Sequence, residues 1–184
     1  MSELVFFLEE LSAKAMLEGL VPKLIPTSVR CRYIVFEGKQ DLEKQLVRKM
    51  RGYRTPNARF VVLRDKDAED CLQVKNRLVA KCAAAGHADS LVRVACHELE
   101  SWFLADLAAV EIGLGVGGLI RQQPKAPYHQ PDDFPTPARK LQAIAPTYQK
   151  VGGSRAIGPH LDPGNQRSAS FRVFVAGIRK LLQD

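Results

Sequence analysis

Apolar positions recur along the chain in short blocks separated by amphipathic stretches. Leu4-Val-Phe-Phe-Leu8 is apolar at every position and is closed by Glu9 and Glu10. An unbroken run of this length suits a strand buried on both faces, as in a parallel sheet. Ser12 reads as a helix N-cap, and Ala15, Met16, Leu20 and Leu24 follow at helical spacing up to Pro22 and Pro26. Residues 31–36 form a second apolar block. Asp41 to Arg51 then carries Leu42, Leu46 and Val47 as one helical stripe. Residues 58–63 read as a third strand, with Arg64-Asp-Lys-Asp67 at its exit. A helix over 68–85 follows, closed by Gly86. Residues 91–96 make a fourth strand, and one helix is expected from about Glu98 to Val110.

Strand and helix thus alternate four times. Short connections in such a pattern imply parallel strands and a three-layer α/β sandwich, its central four-stranded sheet Rossmann-like. After residue 112 the pattern changes. Glycines and prolines crowd 113–135, which reads as a long irregular segment. Thr136-Pro137 opens a helix to about Ile144. Gly152, Gly153, Gly158, Pro159, Pro163 and Gly164 read as a further loop, and Ser168 or Ser170 opens a last amphipathic helix. The expected organisation is an α/β core over 1–112, with 113–184 as a helical extension packed on it within one structural domain.

Composition narrows the function classes. The chain has 184 residues, 46% hydrophobic and 26% charged, as in a globular protein. The first ten residues lack the basic flank and long apolar run of a secretory signal. No segment approaches a membrane span, so a cytoplasmic, membrane-free protein is expected. Its four cysteines form no CxxC pair, and its histidines show no zinc-ligand spacing. A dinucleotide fingerprint and a P-loop are both missing, so no nucleotide cofactor is expected.

The formal net charge is +7, which favours polyanionic partners. Within this basic chain the acids gather at strand ends. Glu9 and Glu10 leave the first strand, Asp65 and Asp67 the third, and Glu98 and Glu100 follow the fourth. In an open α/β sheet, ligands bind beyond the carboxyl ends of the strands. Clustered carboxylates repel one another, and a hard divalent cation such as Mg²⁺ or Mn²⁺ relieves this. Residues i and i+2 of an extended chain point the same way, so Asp65 and Asp67 are expected to face one ion with Glu9. Glu100, on the first turn of its helix, can reach the same edge. Each acid can also serve simply as a helix cap or dipole partner. The run Arg48-Lys-Met-Arg-Gly-Tyr-Arg54 offers Arg48, Lys49, Arg51 and Arg54 to phosphates beside the site, or merely complements a helix C-terminus. Trp102 and Phe103 read as core or subunit contacts.

A hydrophobic strand ending in Glu, followed by one ending in Asp-x-Asp, resembles the TOPRIM domain of topoisomerases, primases and OLD-family nucleases. Phe7-Leu-Glu-Glu-Leu-Ser-Ala-Lys-Ala-Met-Leu-Glu-Gly-Leu-Val-Pro22, Val61-Val-Leu-Arg-Asp-Lys-Asp67, His97-Glu-Leu-Glu-Ser-Trp-Phe-Leu-Ala-Asp106 and Ser168-Ala-Ser-Phe171 resemble the TOPRIM-like domain of unknown function four-two-seven-six. The resemblance spans nearly the whole chain. It implies a prokaryotic protein, often encoded beside an AAA or ABC-type ATPase. It implies Glu9 as general acid/base or metal ligand, and Asp65 and Asp67 as a Mg²⁺-binding pair. One position departs from the pattern: Glu10 stands where TOPRIM chains usually carry Gly. Two classes of function follow. One is a Mg²⁺-dependent nuclease or phosphoryl-transfer subunit acting on nucleic acid, with a separate ATPase partner. The other is a non-catalytic interaction or regulatory module of an ATPase complex.

Overall fold

A computed structural model describes residues 2–183. Four strands, β1 (Glu3–Leu8), β2 (Arg30–Val35), β3 (Ala58–Asp65) and β4 (Leu91–Ala95), form one sheet in the order β2-β1-β3-β4. All three pairings are parallel, as the alternating pattern predicts. β1 is an interior strand, and Leu4 to Leu8 are fully buried, which is why no polar residue interrupts the run.

The helices cover both faces. α2 (Lys39–Arg51) and α3 (Cys71–Ala84) seal one face, placing Leu42, Leu46, Met50, Val74 and Leu78 against Val5, Phe7, Phe60 and Val62. On the other face lie α1 (Leu11–Leu20), α4 (Glu100–Leu104), α5 (Leu107–Leu114), α6 (Pro137–Ile144), α7 (Lys150–Ile157) and α8 (Ala169–Leu181). They share one apolar cluster with Leu4, Phe6, Leu8, Val61 and Leu63. Each fully buried aliphatic or aromatic side chain contributes roughly 1.5–3 kcal/mol. Trp102 and Phe103 belong to this cluster; the Trp102 indole donates to Ser170 Oγ at 2.8 Å. Among the described residues no helix is long and apolar enough to cross a membrane.

Several local readings change. Ser12 lies inside α1, whose N-cap is Glu10. The helix expected from Glu98 to Val110 is two helices. The chain breaks at Ala105-Asp106, where Asp106 caps α5 by accepting from Ala109 N at 3.1 Å and also accepts from Asp162 N at 2.8 Å. Segment 113–135 holds three single 3₁₀ turns at Ile120–Gln122, Ala126–Tyr128 and Pro131–Asp133. Helix α6 begins at Pro137 as expected, but the cap comes from elsewhere: Glu98 Oε2 accepts from Ala138 N at 2.8 Å.

The largest correction is α7, read from the sequence as a loop. Its glycines, and those beside it, permit close approach. A Cβ at Gly158 would lie 2.4 Å from the Met16 carbonyl oxygen, and one at Gly19 2.5 Å from Pro159 Cδ. A Cβ at Gly153 would lie 2.3 Å from the Tyr148 ring. Gly19 and Gly158 clear the space that lets the end of α7 and the turn after it seat on α1, and Gly153 makes room for the Tyr148 ring.

Candidate functional site at the carboxyl edge

After β1 the chain moves to one neighbour, β2; after β2 it crosses β1 to reach β3. The sheet's connectivity therefore reverses at the β1–β3 pair, and the region beyond their carboxyl ends is the crevice where an open α/β sheet binds its ligands. Leu8 pairs with Leu63, so Glu9 emerges beside Arg64 and Asp65. Glu9 Oε2 accepts from Asp65 N at 3.1 Å, joining the two strand ends directly.

Glu9, Asp65 and Glu100 share this crevice. Burial raises the pKa of the half-buried Asp65 carboxyl well above its usual range, reinforced by the charges of Glu100, Glu9 and Glu10 in that order. Burial also raises Glu9, opposed by the hydrogen bond from Asp65 N, with the Asp67 charge raising it further. Glu100 is 1% exposed, and burial raises it too. Its Oε1 accepts from Tyr148 OH at 2.9 Å, while its Oε2 is buried without a hydrogen-bond partner.

Asp67 departs from its expected orientation. The chain leaves the extended conformation after Asp65, and Asp67 is left-handed at φ 54°. The strand rule for i and i+2 therefore lapses. Asp67 N bonds to His97 O at 2.7 Å, and its carboxylate pairs with Lys39 Nζ at 2.7 Å. That hydrogen bond is the main reason the Lys39 pKa is raised. Glu9, Asp65 and Asp67 thus adjoin one another without forming a cage. Among the described residues no group of three or more His, Cys, Asp or Glu side chains is assembled to hold a metal ion.

Two cations here were not assigned to this site from the sequence. Lys150, at the start of α7, pairs with Glu10 Oε2 at 2.8 Å. Burial would lower its pKa, but the hydrogen bond and charge of Glu10, with Glu100 and Asp65 behind, raise it. No local signal marks Lys150, because a glycine-rich helix far along the chain delivers it. Arg64 did carry a signal, being a cation directly after the apolar run Phe60–Leu63, with Glu69 five residues on. It is 1% exposed, and its guanidinium holds Glu43 at 2.5 Å and also pairs with Glu69. Arg77 bridges the same two glutamates, at 3.2 Å and 2.5 Å. Arg64 Nε lies 3.8 Å from Glu9 Oε2 and has no hydrogen-bond partner.

The remaining acids are structural. Asp70 caps α3 by accepting from Gln73 N at 2.9 Å, and Glu98 caps α6. The basic run lies elsewhere. A helix between parallel strands runs back across the sheet, so α2 ends at the amino edge. There Tyr53 OH donates to Glu3 Oε2 at 2.6 Å, and Arg51 donates to Ala84 O at 2.6 Å. Arg48, Arg51 and Arg54 are therefore not beside the carboxylates but at the far end of the strands, while the Lys49 ammonium reaches back along α2 to lie 5.4 Å from the centroid of the Phe36 ring.

The family described as Domain of unknown function (DUF4276) matches residues 6–179. The chain belongs to that family. No curated protein matches it. Among solved structures, the C-terminal region of the Burkholderia pseudomallei OLD protein is similar, with a TM-score of 0.55 at 14% identity, covering 96% of this chain and 97% of that one. At that identity the likeness is one of fold: a four-stranded parallel α/β sheet with helices on both faces. With 96% of this chain covered, the likeness extends beyond the α/β core into the C-terminal part of the chain.

Proposed function

We propose that this chain is a divalent-cation-dependent phosphoryl-transfer subunit, a nuclease acting on nucleic acid, that works with a separate ATPase partner. The observation that carries this reading is the unpartnered Oε2 of Glu100, buried beside Asp65 and Glu9 in a crevice with more carboxylates than cations. A buried carboxylate oxygen without a donor is costly. The donors present are hard oxygens, which suit Mg²⁺ or Mn²⁺. Glu9, Asp65 and Glu100 are the residues that would hold the ion, with Asp67 available if Lys39 releases it. When bound, the ion would offset charge developing on the phosphate and supply a water as nucleophile. Glu9, whose raised pKa brings it nearer neutrality, would hold or move the proton. Lys150 would keep Glu10, the departure from the usual Gly, from repelling a phosphate.

A second reading has its own observation. Lys39 already neutralises Asp67, and Lys150 neutralises Glu10. A site that supplies its own cations suits a non-catalytic module of an ATPase complex.

The test is a Mn²⁺ thermal-shift titration alongside cleavage of labelled DNA and RNA, with and without the ATPase encoded nearby. Catalysis requires that Mn²⁺ raise the melting temperature, and that Asp65→Asn remove both this rise and cleavage by at least about a hundredfold. Cleavage that persists in EDTA or in Asp65→Asn defeats the proposal. No cleavage with any metal, even beside the partner, leaves the second reading.

A further inference from the structure

The amino edge of the sheet has a chemistry opposite to that of the crevice. Arg48, Arg51 and Arg54 leave the end of α2 exposed, and Arg30 and Arg32 are exposed on β2, an outer strand. The two groups meet at Tyr53: Arg32 lies 5.8 Å from the centroid of its ring, and Tyr53 itself follows Arg51. None of these five arginines forms an ion pair among the described residues. Glu3, the acid beside them, is 7% exposed and engaged by Tyr53 OH.

A helix C-terminus favours nearby cations, which accounts for some of α2's basic residues. It does not account for Arg30 and Arg32, which lie on a strand. Three features favour a phosphate backbone over a protein surface. All five cations are arginines, whose planar fork matches phosphate oxygens. Arg30 and Arg32 point to the same side of β2, roughly 7 Å apart, about two steps of a duplex strand along its axis. The exposed large apolar side chains, Leu11, Leu72, Val79, Ile112, Ile120 and Val173, all lie outside this surface. A protein interface would place apolar or aromatic anchors at its centre, whereas nucleic-acid interfaces are more polar and strongly positive.

We infer that the amino edge, from Arg30 and Arg32 across to Arg51 and Arg54, is a nucleic-acid docking surface separate from the carboxylate crevice. Six residues of strand from Glu3 to Glu9 set the two edges about 20 Å apart. A backbone held at the amino edge is therefore not the phosphate at the crevice. The surface anchors one part of a long substrate while another part, or another strand, reaches the acids. This rests on the proposed function only for what happens at the crevice, because binding at the amino edge needs no metal.

The experiment measures binding of single- and double-stranded oligonucleotides by fluorescence anisotropy in EDTA, across a salt series, with the full chain. Arg30→Glu, Arg32→Glu, Arg51→Glu and Arg54→Glu combined should weaken binding at least tenfold at low salt. The dependence of log K on log salt should flatten by about 0.9 for each duplex phosphate that the variant no longer neutralises. Circular dichroism checks that the variant folds, which exposed positions allow. Reversal of Arg121 and Lys125, outside this surface, should leave binding unchanged. Binding that survives the fourfold reversal, binding insensitive to salt, or equal loss in the Arg121 and Lys125 control overturns the inference. So does capture of polyglutamate in preference to oligonucleotide, which would make the surface one for an acidic protein. Loss of cleavage in Asp65→Asn with binding intact tests the crevice separately.

Discussion

The two ends of one sheet solve opposite electrostatic problems. At the carboxyl edge, acids outnumber cations, and the surplus is managed internally: Lys150 holds Glu10, Lys39 holds Asp67, Arg64 holds Glu43 and Glu69, and Glu100 keeps one oxygen unpartnered. At the amino edge, five arginines are exposed and form no ion pair among the described residues. Unpaired charge in water costs little; unpaired charge beneath the surface costs much. The difference teaches where to look for function. The amino edge is inexpensive to maintain and easily explained by solubility, so only binding can show its use. The crevice holds like charges together against their own repulsion, which on the proposed function a divalent cation would relieve.

The contrast can be broken most strongly at Lys150. Lys150→Met removes the counter-charge to Glu10, Glu100 and Asp65, and should destabilise the chain at neutral pH by about 1–2 kcal/mol, allowing for partial solvent screening. Because the acids it faces lose their charge as pH falls, the deficit should shrink toward pH ~4. Urea unfolding at the two pH values measures this. A deficit independent of pH would mean that Lys150 acts through packing alone.

Asp65→Asn should have the opposite sign and a smaller size. A raised carboxyl pKa in the folded state means that folding binds a proton. The stabilising contribution is complete below the ordinary carboxylate range and is lost as pH rises through the raised value. In EDTA, the Asn variant should therefore exceed the native chain by about 1 kcal/mol at neutral pH and converge with it under acid conditions. Saturating Mg²⁺ should reverse the order, since only the native chain gains from the ion. If Mg²⁺ stabilises both equally, the crevice does not hold it.

Lys39→Ala should matter least for stability, within about 0.5 kcal/mol, because its pair with Asp67 is exposed. Its value lies in Mn²⁺ affinity. Freeing Asp67 should tighten binding if Asp67 joins the ligand set; unchanged affinity would confine the ligands to Glu9, Asp65 and Glu100.

Much of this arrangement can be read from the chain. Apolar runs such as Leu4 to Leu8 announce buried parallel strands, and the acids that end β1 and β3 must meet once those strands pair. The position of the basic run was also implicit: a helix that links parallel strands returns to the amino edge, and that rule places Arg48 to Arg54 away from the acids. Other features leave no such mark. Asp67 turns aside because its backbone becomes left-handed, which a residue at an expected strand end does not reveal. Asp106 sits within an apolar stretch, and its role as a cap is visible only once the helix is seen to break. Helix α7 was hidden because glycine signals flexibility when nothing is packed on it and proximity when something is, and sequence does not distinguish the two.

The seat of α7 on α1 gives those glycines a further role. Met16 and Gly158 meet backbone to side-chain-free backbone, so the height of α7 is set with less slack than one methyl group. Lys150 rides on that helix, and α1 begins directly after Glu10. An uncharged pair of contacts along the helix shafts therefore works as the hinge pin of an electrostatic device at their tips. A chain that kept every acid and lysine of the crevice but carried alanine at Gly158 would hold the same charges out of alignment. Selection on the crevice should thus be felt as intolerance at positions that bear no charge and touch no ligand.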